Sequence, residues 1–298
     1  MKNYSKSPPE DTFNRLIFQE AEKIAEAAHC STMIIFGDTM SEGNRFDAIF
    51  KGYKNILVTQ YPEDLFVAGI FDHVINVISM TPQRFSQQRS ALIIGIARNF
   101  FSAGEKICCI TGIPGSERFD TISVIDVNDE LGSIPLLKEH FLPEAIHPEI
   151  FERVLSIASE IATEGREGRS VGCLFVLGDG EQILPYTRSL VPNPFQGHNE
   201  ENRNILSPFM TEVIKEFSPI DGAFVVRGDG VIEAAGMMIQ APHDERICLP
   251  PGLGTRHMAA ANISAMADCI AITVSQSTRH IALFHRGKML SLSERKFI

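Results

Sequence analysis

The sequence predicts an α/β protein in which a parallel-sheet domain is followed by a mixed-sheet domain. The chain has 298 residues, of which 44% are hydrophobic and 21% charged, enough for two buried cores. In the first half, short apolar runs alternate with segments of helical periodicity, a pattern typical of parallel sheets. In the second half, Arg227-Gly-Asp-Gly230 separates two apolar runs and predicts a tight hairpin, so the strands of that domain run in both directions.

The predicted first domain covers residues 1–140. Apolar side chains recur at helical spacing over 12–29 and 82–101, and both segments are predicted helices. Predicted strands lie at 33–36, 56–59, 73–78, 107–111 and 121–127.

The predicted second domain covers residues 145–298, after a turn-rich linker marked by Pro135, Pro143 and Pro148. Helices are predicted over 150–164, 208–217 and 256–269. Strands are predicted at 171–177, 223–227, 231–238, 271–275 and 280–286.

The composition narrows the class of ligand and the compartment. The formal net charge of −10 argues against nucleic-acid binding through a broad basic surface, whereas a small anionic ligand in a local pocket remains compatible. No apolar run is long enough for a secretion signal or a membrane span, which predicts a cytoplasmic protein. The six cysteines show no Cys-x-x-Cys spacing, and we expect buried, reduced thiols rather than structural zinc.

The motif Gly254-Thr255-Arg256-His257 opens a predicted helix of small residues. It places free backbone N–H groups, a hydroxyl, a guanidinium and an imidazole at one helix start, which favours binding of phosphate. The alternative is an ordinary capped helix whose Arg256 and His257 face solvent.

The motif Asp221-Gly222-Ala223 places an acid just before a strongly apolar strand. The small residues leave room for a ribose or phosphate, and the carboxylate suits Mg²⁺ or Mn²⁺. The alternative is an Asx-type turn. Each motif alone indicates little, but the two together indicate a site for nucleotide chemistry.

Taken in order, these motifs and three more resemble the diadenylate cyclase family from about residue 145 to the end. The additional segments are Glu164 to Arg169, the strand closing on Gly178-Asp179, and Asn193-Pro194-Phe195. The resemblance implies that two ATP molecules condense into the second messenger cyclic di-AMP and two pyrophosphates, assisted by Mn²⁺ or Mg²⁺. It also implies a homo-oligomer in which two active sites face each other, because each 3′-hydroxyl must reach the other α-phosphate.

The resemblance also assigns roles to residues. Asp221, Arg256 and His257 would be catalytic, with Asp221 orienting the 3′-hydroxyl and holding the metal. The implied ATP-binding residues are Gly222, Ala223, Met238, Gly254, Thr255, Arg256, His257, Ser275 and Gln276. Among these, Met238 would contact adenine and Ser275 with Gln276 would lie near the phosphates.

Two positions motivate a second hypothesis. Met258 stands where the family usually has a second arginine, a charge that Arg279 could replace, and Gln276 favours a site with a single carboxylate. A catalytically weak or inactive regulator that binds ATP or a cyclic dinucleotide is therefore the alternative. In a third interpretation the motifs are only turns and caps of a scaffold without affinity for ATP.

The first half resembles the α/β domain at the C-terminal end of pyruvate kinase. The likeness rests on the order of strands and helices and on Asp120-Thr121-Ile122. Since no catalytic set stands out there, we expect this domain to serve regulation or oligomerisation.

Overall fold

A computed structural model describes residues 10–40, 50–60, 71–77, 84–102, 104–131 and 141–292. The chain divides into a first compact unit within residues 1–78 and 87–133 and a second within 79–86 and 134–298. The predicted boundary near residue 140 and Pro135 of the predicted linker lie outside the described residues. None of the described helices is both long and apolar enough to cross a membrane.

The N-terminal half contains a five-stranded sheet in the order β3-β2-β1-β4-β5. Its elements are α1 (Glu10–Ala28), β1 (Thr32–Phe36), β2 (Lys54–Thr59), β3 (His73–Asn76), α2 (Arg84–Ala97), β4 (Lys106–Gly112), β5 (Phe119–Asp126) and α3 (Val127–Leu131). The first four strands are parallel, as predicted.

The last strand is the exception in the predicted parallel sheet. β5 pairs antiparallel with β4. The connection over residues 113–118 is too short for the crossover that a parallel neighbour needs, so the chain turns back at the edge of the sheet.

The C-terminal unit contains a seven-stranded mixed sheet in the order β12-β11-β10-β6-β8-β9-β7. Its elements are α4 (Pro148–Glu164), β6 (Cys173–Gly178), α5 (Gly180–Ile183), β7 (Thr187–Ser189), α6 (Met210–Phe217), β8 (Ala223–Arg227), β9 (Ile232–Ile239), α7 (Thr255–Met266), β10 (Cys269–Val274), β11 (Ile281–His285) and β12 (Lys288–Ser291). β6 and β8 are parallel, and the other neighbouring strands are antiparallel. The mixed sheet and the β8–β9 hairpin were predicted, whereas α5 and the short edge strands β7 and β12 were not.

Alternate residues of a strand point to opposite faces of the sheet, and helices cover both faces here. Leu174 and Val176 of β6 belong to the core cluster that also includes Ala260 and Ile263 of α7. Phe175, between them, is fully buried and stacks on Phe224 at 5.3 Å between ring centroids. α4 also contacts β6, β10 and β11. The start of α7 is thereby held at the end of β10, where the candidate site forms.

Candidate functional site

A cavity of about 420 Å³ opens where α7 begins and β10 ends. It brings the Gly254–His257 motif together with Ser275 and Gln276, six of the residues predicted to bind ATP. Its wall consists of Gly252, Leu253, Gly254, Thr255, Arg256, His257, Val274, Ser275, Gln276, Ser277, Thr278, His280, Ile281, Ala282, Met289 and Ser291.

The first turn of α7 has the properties of an anion site. Gly254 is the N-cap in an extended conformation, and no side chain caps the helix. The backbone N–H groups of Thr255 and Arg256 have no intrahelical carbonyl to donate to, because these residues are the first two of the helix. Thr255 is exposed. This arrangement suits phosphate oxygens.

Arg256 joins the two sequence motifs. Its Nη2 donates a hydrogen bond to Asp221 Oδ1 at 3.0 Å, across 35 residues of sequence. The Arg256 side chain is 27% exposed and that of Asp221 88% exposed, so solvent and ligands can reach the pair. An exposed ion pair of this kind stabilises the fold little, and both groups are free to exchange partners when a nucleotide binds.

His257 is buried, and its ring packs edge-on against Phe284 with centroids 6.0 Å apart. Burial lowers the pKa of His257 below its usual value. The imidazole is therefore mainly neutral at pH 7 and offers hydrogen bonding rather than a full charge. Arg256 is the permanent cation of the cavity wall.

The turn after β10 forms the opposite wall. Ser275 Oγ accepts a hydrogen bond from the backbone N–H of Thr278 at 3.3 Å, and Gln276 is exposed. Arg279 adopts a left-handed φ of 60° and donates to Ser170 Oγ at 3.1 Å and to the Thr163 carbonyl at 3.2 Å. Its guanidinium is thus bound at the end of α4 and does not replace the charge absent at residue 258.

Gly222, Ala223 and Met238 lie outside the cavity wall, as does Asp221. At Gly222 φ is 112°, and an added Cβ would lie 2.5 Å from the Gly236 carbonyl carbon, so this position requires glycine. Ala223 is fully buried in the core cluster. Met238 is 45% exposed on β9. The structure therefore places Met238, but not Ala223, where a ligand can touch the side chain.

The described side chains alone do not complete the coordination shell of a divalent metal ion. Among the described residues, no group of three or more His, Cys, Asp or Glu side chains is arranged to hold a metal ion. The exposed carboxylate of Asp221 offers one oxygen ligand, and Mg²⁺ commonly takes one or two carboxylates together with substrate phosphates and water.

Sequence reasoning missed several residues of the cavity. Ser277 and Thr278 directly follow Ser275 and could have been found by extending that motif. His280 is exposed and also lines the cavity, but it stands in no motif of the sequence. Met289 and Ser291 belong to the unpredicted strand β12, and no sequence signal places them here.

Two families match the chain in separate segments. The family described as "DisA bacterial checkpoint controller nucleotide-binding" matches residues 160–289, which contain all the site residues predicted from the sequence. The family described as "Probable sensor domain DacZ_P" matches residues 11–133.

Curated relatives are named diadenylate cyclase. The protein of Methanocaldococcus jannaschii is 34% identical over 202 residues, which cover 67% of this chain and 64% of that protein. The protein of Haloferax volcanii is 30% identical over 213 residues, 70% of this chain and 77% of that protein. A Listeria monocytogenes protein is 34% identical over 131 residues, 44% of each chain. The match thus spans just under two thirds of the Methanocaldococcus protein's length.

Proposed function

Because the chain belongs to the diadenylate cyclase family, we propose that it condenses two ATP molecules into cyclic di-AMP and two pyrophosphates. The reaction is a nucleotidyl transfer, in which the 3′-hydroxyl of one ATP attacks the α-phosphate of the other. The oxygen–phosphorus bond to the departing pyrophosphate breaks as the new ester forms.

One observation carries this proposal within the site. The start of α7 and the Ser275–Gln276 turn share one cavity, and Arg256 of that cavity is bonded to Asp221 at 3.0 Å. An acid that can orient a hydroxyl therefore lies beside a cation that can neutralise phosphate. Nucleotidyl transfer needs these two groups close together.

The residues of the site have distinct proposed roles. Asp221 accepts a hydrogen bond from the attacking 3′-hydroxyl and aligns it. Arg256 and the free N–H groups of the first turn of α7 bind the α-phosphate and the leaving pyrophosphate, where negative charge develops. His257, largely neutral because burial lowers its pKa, donates a hydrogen bond from its ring N–H to the same phosphates. Met238 offers an exposed apolar side chain to adenine.

A divalent ion, Mn²⁺ or Mg²⁺, completes the proposal. Asp221 would hold this ion together with phosphate oxygens and water, because its carboxylate is exposed and Gln276 is neutral. The ion would neutralise charge on the phosphates. We therefore expect metal and ATP to bind together rather than metal alone.

The geometry of the reaction requires two copies of the chain. Each site is proposed to bind one ATP, and each attacking hydroxyl must reach the α-phosphate in the other site. Two protomers therefore face each other across a two-fold axis, and an isolated protomer makes no product. Cyclic di-AMP is symmetric, as this arrangement demands.

The N-terminal half is proposed to regulate or assemble the enzyme. It matches a family described as a probable sensor domain over residues 11–133. Its fold, a largely parallel sheet, is also compatible with the resemblance to the C-terminal domain of pyruvate kinase.

The decisive experiment incubates the purified full-length chain with ATP and Mn²⁺ or Mg²⁺, and resolves cyclic di-AMP and pyrophosphate by chromatography with mass detection. Asp221→Asn and Arg256→Ala should each abolish product, because one loses the negative charge that would hold the metal ion and the other the permanent cation. Circular dichroism should show both variants folded, since the Asp221–Arg256 pair is exposed. His243→Gln, an exposed change outside the cavity wall, is the matched control and should retain full turnover.

Other outcomes separate the hypotheses. Product formation that persists in Asp221→Asn would contradict the role of that carboxylate. ATP binding without pyrophosphate release at any metal or protein concentration would favour the regulator, and no ATP affinity at all would favour the scaffold.

A further inference from the structure

Gly172, the residue just before β6, is a close neighbour of the Arg256 guanidinium. We propose that Gly172 is a positioning residue of the candidate site, because the absence of a Cβ leaves the space in which Arg256 reaches Asp221. This inference rests on the proposed function and adds a residue to which the sequence motifs assign no role in the site.

Three groups converge on this glycine. A Cβ built on Gly172 would lie 3.0 Å from Arg256 Nη1, 3.1 Å from Gln276 Cβ and 3.2 Å from the Val274 carbonyl oxygen. Gly172 itself is buried. Its φ lies outside the left-handed region, so the backbone conformation alone would accept alanine. Glycine is therefore needed here for space.

The neighbours of Gly172 differ in how easily they can move. The carbonyl of Val274 belongs to β10, which pairs with β6 through Val274 and Cys173, so it is held by the sheet. The Arg256 Nη1 atom is the far end of a flexible side chain, and it would give way first. An added methyl group would thus displace the guanidinium while leaving the fold in place.

A small displacement matters because the guanidinium has a directional task. Its Nη2 bonds to Asp221 Oδ1 at 3.0 Å, and hydrogen bonds weaken steeply as distance and angle depart from the optimum. The same guanidinium is proposed to bind phosphate, and a charge-assisted contact of this kind weakens when the planar group is displaced. We therefore expect a shift of a few tenths of an ångström to remove part of one such contact and to cost about 3- to 10-fold in nucleotide affinity.

The test is a double-mutant cycle in the full-length chain. Gly172→Ala is compared with wild type, and then again in the background of Arg256→Lys, whose ammonium group lacks the Nη1 atom. Affinity is measured by calorimetry with α,β-methylene-ATP and Mn²⁺, an analogue that cannot release pyrophosphate, and thermal unfolding is followed in parallel. The matched control is Gly180→Ala, where an added Cβ meets only the flexible Glu233 side chain, with Cγ at 3.3 Å.

We expect Gly172→Ala to weaken binding of the analogue about 3- to 10-fold in the arginine background and not at all in the lysine background. The control should bind as wild type does. Equal losses in both backgrounds would overturn the proposal, because they would show damage transmitted through Val274 or Gln276. Unchanged affinity in Gly172→Ala would also overturn it, while product formation by wild type would leave the cyclase assignment intact. A wild-type chain that binds no analogue would contradict both the role of Gly172 and the cyclase assignment.

Discussion

The two halves of this protein differ in the polar side chains that they bury. In the N-terminal sheet the central strand β1 is buried along its whole length, and Asp38 at its end accepts hydrogen bonds from Thr59 and from the backbone N–H of Gln60. Among the described residues, the buried lysine and the two buried histidines all belong to the C-terminal unit, where Lys215 lies among three carboxylates. The contribution of a buried titratable group to stability depends on its partners and on pH, whereas apolar burial does not depend on pH.

The largest effect should come from a methyl group added at a crowded glycine of the C-terminal unit, compared with one added at an open glycine of the N-terminal half. Gly222→Ala forces a Cβ to within 2.5 Å of the Gly236 carbonyl carbon at a φ of 112°. We expect it to destabilise the C-terminal unit by at least ~3 kcal/mol. Gly115→Ala in the N-terminal half has a φ of 70° and no atom within 4 Å, so only backbone strain of about 1 kcal/mol applies.

Denaturant unfolding combined with hydrogen exchange of peptides from each unit measures both variants. Similar losses at Gly222 and Gly115 would contradict the expected dependence on the space around each glycine.

The next effect concerns lysines that pair with carboxylates. Lys215 Nζ lies 2.9 Å from Glu164 and 3.0 Å from Glu160, and its side chain is 6% exposed. Burial acts to lower the pKa of Lys215, but its hydrogen bonds to the glutamates outweigh burial and raise the pKa above its usual value. Lys215→Met leaves these carboxylates without their partner and should cost about 2 kcal/mol, less than a fully buried pair, because Glu164 is 62% exposed.

Lys23 is the matched control in α1. It lies 2.7 Å from Glu20, but its side chain is 70% exposed, so Lys23→Met should leave the unfolding midpoint nearly unchanged. Chemical denaturation at pH 7 compares the two variants. An equal loss at Lys23 would contradict the dependence on burial.

A smaller effect should appear on acidification. Burial lowers the pKa of His257 below its usual value. Burial and the charge of Arg286 lower the pKa of His285, and the carboxylate of Asp268 opposes this shift only in part. The unfolded chain, whose histidines titrate near 6.5, then binds more protons than the native one below that pH. Stability of the C-terminal unit should therefore be full above about pH 6.5 and fall below it, by at most ~1.4 kcal/mol per histidine and pH unit.

Unfolding of the wild type at pH 7.5 and 5.5 measures this loss. In His285→Gln the loss of stability between pH 7.5 and pH 5.5 should be smaller, because glutamine does not titrate. In the wild type the Nε2 of His285 lies 3.6 Å from Asp268 Oδ1, too far for a strong hydrogen bond that would favour the charged imidazole. A pH difference that stays the same in this variant would show that other groups cause it.

The smallest effect is expected at the end of β1. Asp38 accepts hydrogen bonds from Thr59 Oγ1 at 2.5 Å and from the Gln60 backbone N–H at 2.9 Å. Asp38→Asn keeps one acceptor oxygen and should cost about 1 kcal/mol. Pyrophosphate release at saturating ATP should not change, and a loss of turnover without unfolding would show that this edge of the N-terminal sheet communicates with the site.

Much of the architecture could be predicted from local pattern. Helical periodicity located α1, α4 and α7, and apolar runs located β1, β6 and β10, because burial of one face imposes these periods. The reversal at β5 was missed, since an apolar run carries no information about its direction. The strands β7 and β12 were missed as well, because three or four residues are too few to establish a period.

The sequence by itself determined the chemistry that is available: an acid in Asp221-Gly222-Ala223, and a guanidinium and an imidazole in Gly254-Thr255-Arg256-His257. Only the tertiary structure decided how these groups meet. The 3.0 Å bond between Arg256 and Asp221, the burial of His257 and the space left by Gly172 join residues far apart in the chain. Such distances depend on how strands pair and helices pack, and a one-dimensional pattern records neither.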